Sequence, residues 1–130
     1  MSFLSYKLIE TLKREDKRAI EAKQVIAWML MQKSEVVVAT AVKTLGSPAF
    51  STEDFLDKIP MYLEHSQADV RLMAVAAAND RLNINEDLTA IEPILQALKS
   101  DADTEVANYA KRTLSGMQYV RSSKCRAFFQ

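Results

Sequence analysis

Glycine and proline are scarce in this chain, with two of the first and three of the second in 130 residues. A sheet protein needs turn chemistry every ~8–12 residues and would use more of both, so an all-helical fold is expected. A single cysteine, Cys125, excludes an intramolecular disulfide and the cross-linked secreted scaffolds that depend on several. A reducing, cytoplasmic setting is expected. One histidine, His65, cannot assemble a zinc centre with Cys125 alone. No run approaches the ~20 apolar residues of a membrane span, and residues 1–7 lack the basic-then-apolar order of a signal peptide. With two glycines there is no glycine-rich phosphate loop and no G-x-S-x-G elbow, and H-E-x-x-H does not occur. Neither a cofactor nor a metal site is expected.

Net charge is also missing, because seventeen basic and seventeen acidic residues cancel. Their distribution is uneven: +3 over residues 1–33, −6 over 34–118 and +3 over 119–130. An acidic middle repels phosphate, which argues against a nucleic-acid partner.

What is present is helical periodicity. Leu4, Leu8 and Leu12, with Phe3 and Ile9 beside them, form a first amphipathic stripe over residues 3–12. The charged run 13–18 bridges to a second helix, in which Ile20, Ile26, Met29 and Leu30 resume the pattern and Trp28 is expected in the core. A third helix over about 35–45 should stop at Gly46-Ser47-Pro48. Ser51 and Thr52 before Glu53 and Asp54 mark the start of a fourth, kinked by Pro60 and ending near His65, which should meet the last carbonyls. A fifth helix is expected over about 69–82 and a seventh over about 104–117. The sixth should run from Thr89, where Thr89 and Glu92 have capping-box spacing, to about Lys99.

Alternate helices repeat one another. Val37, Val70 and Val106 align, then Ala41, Ala74 and Ala110, then Leu45, Ala78 and Leu114, at offsets of 33 and 36 residues. Three helical hairpins follow, with alanine where two helices must approach closely.

In Glu92-Pro93-Ile94-Leu95, Leu98, Asp101, Asp103, Val106, Ala110 and Leu114, and again in Asp69-Val70-Arg71 with Ala74, residues 17–118 resemble the HEAT repeat. The family's usual arginine after the valine appears only as Arg71, with Val38 and Ala107 at the matching places. The resemblance implies a short right-handed α-solenoid of about three hairpins behind an N-terminal helix. It also implies an adaptor or scaffold rather than an enzyme.

Two polar clusters invite chemistry. Asp101, Asp103 and Glu105 look like the opening of a calcium loop, yet the sixth position lacks glycine and Arg112 occupies the twelfth, so they are expected to start a helix. Asn83, Asn85, Glu86 and Asp87 are expected to be a solvated loop.

In a solenoid the second helix of each hairpin lines the inner surface. At 100° per residue, the side opposite the core stripe carries Ala39, Val42 and Lys43 on the third helix. On the fifth it carries Leu72, Val75, Ala76 and Asn79, and on the seventh Asn108, Lys111 and Arg112. These ten residues are the candidate surface for another protein or peptide. The fifth helix is apolar almost all round, which also suits a central core helix. A homo-oligomeric structural protein, and a small enzyme using groove carboxylates, are the alternatives. Residues 119–130 are expected to pack back on the acidic body, with Phe128 and Phe129 covering apolar surface and Arg121, Lys124 and Arg126 meeting carboxylates.

Overall fold

The computed structural model describes residues 3–129, with side chains through residue 123. It is all-α, with seven helices: α1 (Phe3–Leu12), α2 (Lys17–Leu30), α3 (Glu35–Thr44), α4 (Thr52–Leu63), α5 (Ala68–Asn83), α6 (Glu92–Leu98) and α7 (Thr104–Phe129). Four of the starts have a side-chain reason. Asp16 accepts from the Arg18 and Ala19 N–H groups, Ser34 from Val37, Ser51 from Asp54 and Asp103 from Val106, each satisfying an amide left without an intrahelical partner. Pro60 lies in the last turn of α4, and that helix continues for only three residues beyond it.

Some boundaries differ from expectation for identifiable reasons. The sixth helix opens with a 3₁₀ turn, Thr89–Ile91, held by Asp87 rather than by a Thr89 capping box: Asp87 Oδ1 accepts from both the backbone N–H and the hydroxyl of Thr89. His65 does not donate to the α4 carbonyls; its Nδ1 accepts from the Gln67 N–H at 3.0 Å, at the entry to α5. α7 runs to Phe129 rather than stopping near Met117. On that continuation Arg121 donates to the Glu92 carboxylate at 2.8 Å and Val120 is half-buried. The side chains of Lys124, Arg126, Phe128 and Phe129 lie outside the described residues.

Packing follows an alternating plan. α1, α3, α5 and α7 lie side by side, with α3–α5 the most extensive interface and α5–α7 next. α2, α4 and α6 each pack on the helix that follows them; α4 touches α6, whereas α2 and α4 share no comparable contact. α5 sits centrally, and its residues 74–78 are all buried. The α2 stripe that enters the core is Ala19, Ala22, Ile26 and Met29, so Ile20 (62% exposed) and Trp28 (61% exposed) face outward, against expectation. Ala19 and Ala22 take core positions that the largest apolar side chain of α2, Trp28, does not. Leu4 is likewise half-exposed, and Ser5 takes the core position beside Leu8, donating its hydroxyl to the Thr40 carbonyl at 3.0 Å.

Candidate functional site

The surface that best suits recognition lies across α3, α5 and α7. Leu72 and Met73 on α5 separate two shallow hollows of about 200 and 310 Å³. Val36, Ala39, Thr40 and Asp69 border the first; Glu105, Asn108, Tyr109 and Arg112 border the second. Below them the Lys43 ammonium meets the Asp80 carboxylate, joining α3 to α5. Arg112 lies over the Tyr109 ring at 4.9 Å, so that cation is held flat on an aromatic face. Burial pushes the Tyr109 phenol up from its ordinary value and the Asp80 carboxylate adds to this, while Arg112 and a hydrogen bond with Asn79 oppose it. The phenol stays neutral and polar over the physiological range.

Of the ten residues expected here, six reach the surface: Asn108, Lys111 and Arg112 are exposed, and Lys43, Leu72 and Asn79 are half-buried. The other four do not. Val42 and Val75 are fully buried, and Ala39 and Ala76 are 7% and 3% exposed, so these four belong to the core or its edge. The correction has a geometric cause. α3 has neighbours on three sides, α1, α2 and α5, and its buried residues Val38, Ala39, Ala41, Val42 and Thr44 spread over about 220° at 100° per residue. Its outward face is therefore Val36, Thr40 and Lys43. α5 is also flanked on both sides, by α3 and α7, so Val75 and Ala76 are covered. Sequence reasoning missed Val36, Met73 and Tyr109. The exposure of Val36 (67%) could have been read from Ser34 as cap, because a residue in the first turn of α3 precedes the packed part of the helix.

Two arginines hold this layer together, and neither was assigned a role from sequence beyond the position of Arg71 in the repeat. Arg71 grips Asp101 through one guanidinium edge, Nε and Nη2, at 2.8 and 2.9 Å, and with Nη1 donates to the carbonyls of His65 and Ser66. This ties the α4–α5 turn to the α6–α7 turn. Asp101 also accepts from the Asp103 N–H at 2.9 Å and Asp103 caps α7, so these two of the acidic trio are engaged at the turn that starts α7. Arg81, 1% exposed, donates to the carbonyls of Leu45 and Phe50 and to both Glu86 oxygens, while its guanidinium stacks over Phe55 at 4.9 Å. Glu86 also takes a hydrogen bond from the Thr52 hydroxyl. The 83–87 loop is thus anchored at Glu86, while Asn83, Asn85 and Asp87 are exposed.

Among the described residues no three His, Cys, Asp or Glu side chains are grouped to hold a metal, and no helix is long and apolar enough to cross a membrane. No protein-family model matches the chain, and comparison with curated proteins and with solved structures gave no match.

Proposed function

We propose that the chain is a non-catalytic protein-interaction module, an adaptor or scaffold of the cytoplasm built as a short HEAT-like right-handed solenoid. Three helical hairpins, α2–α3, α4–α5 and α6–α7, behind α1 support that architecture, together with their recurring valine and alanine positions. One observation carries the functional reading. Three successive second helices present Val36, Leu72, Met73 and Tyr109 on neighbouring hollows, framed by polar groups of which Lys43 pairs with Asp80 and Arg112 lies on Tyr109. Such a face offers apolar area without a large desolvation cost, which is what a protein or peptide ligand requires. Its partner-binding residues are Leu72, Lys43, Asn79, Asn108 and Arg112, joined by Val36, Met73 and Tyr109; Lys111 lies at its margin.

Affinity capture followed by mass spectrometry tests the assignment. Proteins retained by the wild-type chain should be lost with Leu72→Glu and with Tyr109→Ala, while helical circular dichroism is unchanged. Retention of the same proteins by both variants would place binding elsewhere.

A further inference from the structure

On the opposite side of the molecule a second surface stands independently of the α3–α5–α7 face. α4 touches α6 in the outer layer, but α2 and α4 share no comparable contact, and a trough lies beside them. Two adjoining hollows, about 490 and 720 Å³, share Lys23 and Ala49 and so run on along the length of α2. Their floor is apolar, with Ile26, Leu45 and Phe50 at the deeper end. On α2 the residues Ile20, Lys23, Ala27 and Leu30 fall within about 80° of arc at 100° per residue. Ile20, 62% exposed, marks one end of that stripe.

The charges on the trough are mostly spent. Lys58 is held by both oxygens of Asp54, at 2.9 and 3.0 Å; Lys13 meets Glu10; Asp16 caps α2 and takes a hydrogen bond from Arg14. Lys23 is different. It sits where the two hollows join, its ammonium 5.5 Å from the centre of the Phe50 ring, with no carboxylate paired to it among the described residues. Glu15 lies at the far end, in the turn before α2.

We propose that this trough seats an amphipathic helix of a partner protein, its apolar face on Ile26, Leu45 and Phe50 and a carboxylate near mid-length meeting Lys23. The walls favour a helix over other occupants. α2 and α4, 14 and 12 residues long, offer lengths of about 21 and 18 Å, and the space beside them is where a further outer-layer helix would pack by ridges into grooves. A concave seat does not suit a bilayer, which needs a flat or convex face. The like charge of Lys23 in two copies disfavours self-pairing through this surface.

The test uses two fluorescein-labelled 14-residue peptides with the same leucines at i, i+3, i+4, i+7 and i+11, flanked in one by glutamates and in the other by lysines. Anisotropy with the full chain at low salt should show at least ten-fold tighter binding of the acidic peptide, and Lys23→Glu should reverse the order. Ala27→Arg, at an exposed wall position, should weaken the acidic peptide at least ten-fold with circular dichroism unchanged. Leu72→Glu on the other face should leave it unaffected, separating this surface from the proposed one. Equal binding of the two peptides, no binding of either, or indifference to both Lys23→Glu and Ala27→Arg overturns the proposal. So does tighter binding to phosphatidylserine vesicles than to either peptide, or self-association that the acidic peptide does not displace.

Discussion

Arg81 is the largest fully buried side chain among the described residues, and it is charged. Burying a guanidinium is tolerable only when every edge finds an acceptor, and here two carbonyls from the 45–50 segment and the Glu86 carboxylate supply them. The arrangement fastens the loop after α3 to the end of α5. Removing one partner strands the other, so Glu86→Ala should cost about 3–5 kcal/mol in urea unfolding. Arg81→Lys should not restore stability, because one ammonium cannot reach acceptors spread around a planar fork.

Asp101 gives a pH-dependent counterpart. The Arg71 guanidinium holds its carboxyl below the ordinary value of 3.8; burial opposes this, and the Asp103 N–H adds to it. A carboxylate whose folded pKa is depressed contributes stability above the unfolded pKa and loses it as pH falls through the folded one. The urea midpoint of the wild type should therefore fall as pH drops below 3.8. Asp101→Asn should lower the midpoint at pH 6 and flatten that acid limb; an equally steep limb in the variant would assign the acid sensitivity to other carboxylates.

At the level of elements, the helices were legible where polar punctuation sets them: Ser51 and Asp103 cap the helices whose starts they announce. Facing was less legible. Periodicity reports an apolar side, but α3 and α5 pack on several neighbours, and the alignment alone does not say how wide a covered arc is. Trp28 and Ala22 show the same limit from the other direction, since transfer energy favours burying the tryptophan while close helix packing on α2 selects the alanine. Gly46 was read correctly as a stop but for another reason. Among the described residues no glycine has positive φ; at Gly46 an added Cβ would stand 2.9 Å from the Ala77 carbonyl oxygen and from Asp80 Cβ. The glycine allows α3 and α5 to close. Gly46→Ala should thus cost about 1–3 kcal/mol by overpacking. At Gly116 the near atom is only the flexible tip of Leu82, at 2.8 Å, and alanine gains roughly 0.5–1 kcal/mol of helix preference there. Gly116→Ala should be close to neutral or stabilising, and denaturant midpoints of the two variants decide whether the contrast holds.

For the whole molecule, the side-by-side layer makes stability uneven along the chain. α5 is enclosed by α3, α4 and α7, buries five residues in succession, and carries both arginines that bind neighbouring turns. α1 contacts α2 and α3 and commits Ser5, Leu8 and Leu12 to the core, with Phe3, Leu4 and Tyr6 left exposed. Opening α1 therefore exposes a small apolar area, whereas freeing α5 dismantles the centre. Native-state hydrogen exchange should separate the two: amides of residues 74–78 should exchange only through global unfolding, with its full urea dependence. Amides of α1 should exchange through a partial opening of lower free energy and weaker urea dependence. Leu8→Ala, which removes one of the three α1 anchors, should speed exchange in α1 while the residues of α5 keep a protection set by the global equilibrium. If α1 and α5 share one free energy and one urea slope in water, the chain unfolds as a single unit and α1 is as much a part of its core as α5.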